Sequence, residues 1–374
     1  MTKIKKVLIV GGGFSGMSAA IELRKHGVQV DLVELDPDWR SYGAGISLGG
    51  ATLRAFDRLG ILQEFLRHGN AADGVELYLP DGQRLGELPT PRIAGPDVPG
   101  GGAIMRPVLA RILAQATRDA GTQVRLGCTF SSITQDAEGV EVAFTDGQRG
   151  RYDLVIGADG LYSKVRAAIF PDAPVPAYSG QAVWRAVLPR PAEVKTAMMW
   201  VGGRCKPGVN PVSATEMYLF VTENRPLNER VDPQEFLPQL SGLLAEFSAP
   251  MLRRIRDSLD ADSIVFRPLE HLLVPRPWHT GRVVLIGDAV HATTPHMASG
   301  ACIGIEDAIV LAEELMRAPS PDAALQTFQA RRWERCRMVV ENSIRLGEIE
   351  MAAGDKAEHS RIMGETLMAL ASPI

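Results

Sequence analysis

Apolar positions recur along this chain with two periods. Short runs of aliphatic and β-branched residues, such as KVLIV at 6–10 and LVIG at 154–157, alternate with stretches whose apolar residues fall three and four apart. The first pattern predicts buried strands and the second amphipathic helices, so the chain reads as α/β. In order, the patterning predicts a strand at 6–10, a helix at 14–26, a strand at 29–34, a loop at 40–46 and a helix at 51–66. A Pro- and Gly-rich portion at 75–99 reads as a small strand pair. A helix at 106–121 follows, with Pro107 in its first turn, then strands near 123–128, 140–145 and 152–157. Between 177 and 222 the strands lengthen and carry Trp184, Trp200 and Tyr218, as one antiparallel sheet would. A helical stretch at 233–256, strands near 263–267 and 282–286, and helix from about 299 onward complete the reading.

Composition narrows the class. A chain of 374 residues with 45% hydrophobic and 22% charged residues has the balance of a globular protein, and its length is enough for two domains. The formal charge of -4 offers no field for a polyanion, which argues against nucleic acid, and no apolar run is long enough to span a bilayer. The opening MTKIKKVLIVGGG superficially resembles a targeting segment, but its apolar run breaks at three glycines without a small-residue cleavage site. Cys128, Cys205, Cys302 and Cys336 form no C-x-x-C pair, which points to free thiols in the cytoplasm. His291 and His296 have no third ligand nearby, so no metal site is expected.

The chemistry begins at the first strand. Gly11, Gly13 and Gly16 form G-x-G-x-x-G between an apolar strand and a helix, and Glu34 ends the next strand eighteen residues after Gly16. In this pattern the first glycine makes the tight turn, the second lets backbone approach a pyrophosphate, and the third lets helix and strand pack closely. The helix N-terminus then faces phosphate, and Glu34 accepts hydrogen bonds from ribose hydroxyls, favouring FAD or NAD over NADP. A second strand-turn-helix, RYDLVIGADGLYSKVR at 151–166, carries Asp159, Gly160 and a capping Ser163. A third, RVVLIGDAVHATTPH at 282–296, ends its strand on Gly287 and Asp288 with no phosphate-type glycine loop. A carboxylate there repels phosphate but accepts hydroxyl donors, so a polyol such as ribityl is its natural partner.

Taken together, these three segments make the chain resemble the single-component FAD-dependent aromatic hydroxylases, the group that includes 4-hydroxybenzoate, salicylate and urate hydroxylases. The resemblance spans essentially all 374 residues. It implies a Rossmann-like FAD-binding domain with an inserted antiparallel-sheet substrate domain and a helical C-terminus. The FAD-binding parts fall at 1–72, 100–174 and 270–318, the substrate-binding parts at 73–99 and 175–269, and the helical region at 319–374. It also implies Arg106 near the pyrophosphate or ribityl, RSYGAGI with Arg40 and Gly45 near the flavin, and Asp159 where the nicotinamide of transient NADH or NADPH docks.

Pro295 would fix the flavin-facing loop, and a helix beginning near Ser299 would aim the amides of Gly300, Ala301 and Cys302 at the ring edge that gains negative charge on reduction. Where many relatives have Gly-Gln-Gly after the proline, this chain has Ala298, Ser299 and Gly300, which restricts the loop's dihedrals.

The implied reaction is reduction of FAD by NAD(P)H, then formation with O2 of a flavin hydroperoxide that delivers oxygen to an electron-rich aromatic ring. On the inserted sheet Arg185 shares a strand face with Val183 and Val187; it either binds a substrate carboxylate or phenolate or is an ordinary strand-edge arginine. His296 is either a proton relay or a solvated loop histidine. Trp200 and Tyr218 are either substrate wall or core. The oligomeric expectation is monomer or homodimer. A reductase, a halogenase, whose W-x-W-x-I-P segment is missing, or a flavin-binding sensor on the same scaffold are the alternatives.

Overall fold

The computed structural model describes residues 4–41 and 43–374. The chain forms two compact units: the first comprises the residues up to Ser41, Ala110–Ala177 and Glu270–Ile374, and the second Tyr42–Leu109 and Tyr178–Leu269. This differs from the expected division at two places. The strand Gly45–Gly49 pairs with Gly101–Met105 and goes with the second unit, while the C-terminal helices are part of the first.

The first unit is built on a six-stranded sheet in the order His279–Thr280, Val283–Leu285, Leu154–Gly157, Lys6–Val10, Gln29–Glu34, Gln123–Leu126. All its pairings are parallel except the edge hairpin. The central strands are apolar along their whole length because both faces are buried, and Leu8, Ile9, Leu154 and Val284 are fully excluded from solvent. The helices Phe14–Lys25, Gly300–Arg317, Pro321–Met351 and Lys356–Ala371 belong to this unit. A separate antiparallel sheet joins Phe130–Gln135, Val140–Phe144 and Arg149–Tyr152. Its first strand, FSSITQ, escapes the patterning because four of its six residues are exposed.

In the second unit a seven-stranded sheet runs Val265–His271, Ala177–Pro189, Glu216–Asn224, Cys205–Pro211, Ala197–Trp200, Val75–Tyr78, Arg84–Leu88. One pairing, Ala197–Trp200 with Val75–Tyr78, is parallel. A small sheet orders Gly45–Gly49, Gly101–Met105 and Asn70–Ala72.

Two expected helices are broken, each at a residue that cannot continue one. The helix expected at 51–66 is Gly50–Leu59 and Leu62–His68, because Gly60 ends the first in the left-handed conformation at φ 83°. The stretch at 233–256 contains Phe236–Leu244 and Pro250–Asp257, the second starting on Pro250, which has no amide to donate.

Candidate active site

Register brings the turns together. Val10 is paired with both Gly157 and Val33, and Gly157 with Leu285, so the segments that follow all leave one carboxyl edge of the parallel sheet. Gly11 has φ 106°, and a Cβ there would lie 2.4 Å from the Ala158 carbonyl oxygen. A Cβ on Gly16 would lie 2.0 Å from the Gly11 carbonyl oxygen. Around Gly13, by contrast, a Cβ would meet nothing within 4 Å. Two glycines are thus required by packing, and the third faces open space beside the N-terminus of Phe14–Lys25. That helix has no side-chain cap and no acidic residue in its first turn, so its positive end is available to phosphate. Glu34 accepts the amide of Gly12 at 2.7 Å and that of Asp36 at 2.8 Å, one per carboxylate oxygen, which leaves lone pairs for ribose hydroxyls. Trp39 Nε1 donates to the Gly12 carbonyl at 2.8 Å, closing the turn from the other side.

Asp159 and Ser163 together cap the short helix Lys164–Ile169: Asp159 accepts the amides of Lys164 at 2.7 Å and Val165 at 3.0 Å, and Ser163 accepts that of Arg166. Arg166 is buried, and burial pushes its pKa down, with Asp159 opposing. Its guanidinium donates to Leu161 O in the Asp-Gly turn and to Ala289 O, the residue after Asp288, at 2.9 and 2.8 Å.

The Gly-Asp turn needs its glycine. Gly287 has φ 60°, and a Cβ there or on Gly304 would sit 2.3 Å from Ser15 Oγ. Three segments therefore meet at Ser15 with no space for another side chain. Asp288, exposed, opens the short helix Asp288–His291. Pro295 begins a single tight turn, Pro295–Met297, and Ala298 adopts the left-handed conformation at φ 48° before Gly300–Arg317 starts. That helix also has no side-chain cap and no first-turn acid, and its first residues are Gly300, Ala301 and Cys302.

The long sheet of the second unit has two dissimilar faces. Trp184 and Trp200 point into an apolar core shared with Leu240, Leu244, Leu252 and Ile255 of the helices Phe236–Leu244 and Pro250–Asp257. Arg185, Val187, Tyr218 and Phe220 lie on the other face, since Arg185 pairs with Phe220 and Val187 with Tyr218 in register. There, a Cβ on Gly45 would lie 2.1 Å from the Tyr218 ring, and one on Gly208 2.2 Å from the Phe220 ring. The two glycines let the aromatic rings lie flat. Tyr218 Oη shares a hydrogen bond with Ser47 Oγ, which accepts from Asn210 Nδ2 at 2.7 Å. No hydrogen bond or ion pair engages Arg185 among the described residues. Burial pushes its pKa down, Tyr218 acts the other way, and Arg106 and Arg267 add to the lowering.

The FAD binding domain family matches residues 5–343. Aurachin C monooxygenase/isomerase of Stigmatella aurantiaca is 33% identical, covering 92% of this chain and 89% of its own. The 2-heptyl-3-hydroxy-4(1H)-quinolone synthase of Pseudomonas aeruginosa is 32% identical over 92% and 89% of the two chains. Among solved structures, Klebsiella pneumoniae HpxO complexed with FAD and uric acid superposes with a TM-score of 0.86 at 25% identity, covering 99% of this chain and 97% of that one. The chain belongs to the FAD-binding-domain family.

It is an FAD-dependent monooxygenase of the aromatic-hydroxylase group, with the fold expected from its sequence, FAD as cofactor and NADH or NADPH as the reductant typical of the group. Within this hydroxylase the expected residues divide. Gly11, Gly13, Gly16, Glu34 and the segments carrying Asp159, Asp288 and Gly300 all follow strands or turns of the first unit. Asp159 serves as a helix cap, and Arg40 is an exposed partner of Asp36 at 3.5 Å and Asp38 at 3.1 Å. Arg106 opens its helix with its amide on Ala44 O at 3.1 Å, beside Gly43 in the second unit; Tyr42 of the RSYGAGI stretch lies outside the described residues.

Two expectations need correction. Trp200 is no substrate wall: it is 1% exposed, stacked on Tyr78, on the face away from Arg185. His296 is no solvated loop residue. Its side chain is 2% exposed, with Nδ1 2.9 Å from Thr294 Oγ1 and Nε2 3.5 Å from Glu350. Sequence reasoning missed Ser15, Trp39, Arg166 and Ser47. Only Arg166 had a visible signal, a basic residue inside an otherwise short apolar helix after the Asp-Gly turn.

Proposed function

We propose that this hydroxylase acts on an aromatic or N-heteroaromatic ring bearing an anionic oxygen group, a carboxylate, phenolate or enolate, held by Arg185 and Tyr218. The single observation that carries this reading is Arg185. Arg185 is half-buried with no acid beside it among the described residues, so its guanidinium is partly desolvated, and a bound anion offsets that cost. Its planar fork suits two parallel hydrogen bonds to such a group. The uric acid bound to HpxO and the quinolone named for the Pseudomonas relative are both N-heteroaromatic, which supports the ring class.

Tyr218, its hydroxyl oriented by Ser47 and Asn210, is the group that holds or passes a proton at the ring oxygen. Gly45 and Gly208 supply the flat floor against which the rings lie. FAD, when bound, supplies the oxygen-activating chemistry. Gly11, Gly13, Gly16 and Glu34 hold its adenosine diphosphate half, and Asp288 its ribityl. Overall, one atom of O2 enters the ring and the other leaves as water, using two electrons from NADH or NADPH. The partners are thus a small aromatic substrate and O2, in a cytoplasmic monomer or homodimer; no described helix is long and apolar enough to cross a membrane.

The test is oxygen uptake with NADH or NADPH across paired aromatics that differ only in carrying a neutral or an anionic substituent. Faster uptake with the anionic member, lost in Arg185→Met, is expected. Equal uptake with the neutral members would rule the reading out.

A further inference from the structure

We propose that Asp307 is a positioning residue for the cofactor: its buried carboxylate fixes the backbone of the Gly287–Asp288 turn so that Asp288 is presented to the ribityl chain. The proposal rests on the reading of Asp288 as the ribityl ligand.

Asp307 lies in the helix Gly300–Arg317, in the stretch CIGIEDAIVL, and is fully buried. Three donors converge on it, two from the Gly287–His291 segment and one from the helix Pro321–Met351. The Gly287 amide reaches Oδ2 at 2.9 Å, His291 Nε2 reaches the same oxygen at 2.5 Å, and Arg332 Nε reaches Oδ1 at 2.8 Å. His291 and Arg332 are as buried as Asp307 itself. Gly287 and His291 flank Asp288 on either side. The Gly287 carbonyl is also engaged, accepting from Val290 and His291 at 2.9 and 3.0 Å. Gly287 stands at φ 60° and ψ −142°, where glycine is free to rotate unless something holds it. Asp307 is what holds its amide.

A second layer braces Asp307. Glu306 pairs with Arg332 at 3.0 Å and with Arg335 at 2.7 Å, and Arg335 donates onward to the carbonyls of Ala369 and Leu370. The line of charges thus runs from the last helix through Pro321–Met351 to the cofactor turn. Apolar side chains filling such a space are often at least as stable, because buried ion pairs barely recover their desolvation cost. What an apolar filling lacks is an acceptor for Gly287.

The same atoms exclude a simpler account. The ligating atoms of His291, Asp307 and Cys336 all lie within 4.8 Å of one another, as a metal site requires. The guanidinium of Arg332, 2.8 Å from Asp307 and 3.5 Å from Cys336 Sγ, already occupies the place of a cation. Asp307 therefore works as an acceptor for the turn.

The experiment titrates flavin-stripped protein with FAD, and separately with ADP, following fluorescence and calorimetry. Asp307→Asn turns one acceptor into a donor facing Gly287, His291 or Arg332. It is expected to weaken FAD about tenfold or more while leaving ADP within twofold. In an Asp288→Ala background the same substitution is expected to cost FAD nothing further, because the residue it positions is gone. Equal weakening of FAD and ADP, or full additivity with Asp288→Ala, overturns the proposal. If Asp307→Asn fails to fold, His291→Leu removes one donor only and is expected to weaken FAD about threefold with ADP unchanged; unchanged FAD binding overturns it equally. Failure of the underlying reading looks different: Asp288→Ala alone would then bind FAD as tightly as the parent.

Discussion

At the carboxyl edge of the parallel sheet, the acids that shape a turn are already occupied by the chain itself. Glu34 takes the amides of Gly12 and Asp36, Asp159 those of Lys164 and Val165, and Asp307 that of Gly287. On the long antiparallel sheet the opposite holds, and Arg185 has no acid beside it among the described residues. The contrast separates two kinds of binding. A cofactor that stays bound is met by groups whose geometry is fixed in advance, so little is lost in ordering them. On the proposed reading, a substrate that comes and goes is met by a charge whose partner is the substrate.

The contrast can be broken most severely at Gly16. A side chain there collides with the Gly11 carbonyl, a backbone atom that cannot move aside, so Gly16→Ala should cost about 3 kcal/mol or more and give protein that no longer retains FAD, read by melting temperature and visible absorbance. Next, Arg185→Met should raise KM for an anionic substrate by about 10- to 100-fold while FAD affinity stays put, as steady-state kinetics and flavin titration will show.

The third expectation concerns pH. Burial works against a charged His291, but the Asp307 carboxylate prevails and holds it protonated well above its ordinary range. A pKa raised on folding contributes stability that is complete below about pH 6.5 and is lost as pH climbs toward the raised value. Thermal melts above pH 6.5 should therefore fall with rising pH, and His291→Gln should flatten that slope. Asp307 works at the other end. Burial pushes its pKa up, His291 and Arg332 outweigh that and bring it to about 2, so its contribution is present above about pH 4 and lost on acidification toward 2.

Smaller still, Ala298→Gly should raise stability by about 1 kcal/mol by relieving the left-handed backbone at φ 48°, less the entropy glycine gains on unfolding. Smallest in its effect on turnover is Trp200→Phe, which should lower the melting temperature yet leave KM unchanged, since the indole lies on the helix-covered face. A KM change there would blur the distinction between the two faces.

Legibility in the sequence followed the range of the interactions. The glycine turn, Glu34 and the Gly-Asp turn were readable because strand, turn and helix lie within a few residues and each glycine has a local steric cause. The parallel strands were readable because burial on both faces leaves unbroken apolar runs. Which face Trp200 and Tyr218 occupy was not, because it depends on register between strands rather than on composition. The burial of His296 was not legible because the acid that accompanies it, Glu350, comes from a distant helix. Asp307 and Glu306 did leave a trace: two adjacent acids inside the apolar run CIGIEDAIVL demand buried partners, though nothing local says that Arg332 is one.

The order in which the six-stranded sheet is assembled has a consequence for synthesis. Lys6–Val10 emerges early, but its neighbour Leu154–Gly157 stays uncovered on one edge until Val283–Leu285 has been made, and the brace at Arg332 comes later still. A growing polypeptide paused before those segments would display an apolar edge strand and no finished nucleotide cradle, so the interval between synthesis of Leu154–Gly157 and of Arg332 is the one most exposed to misassociation.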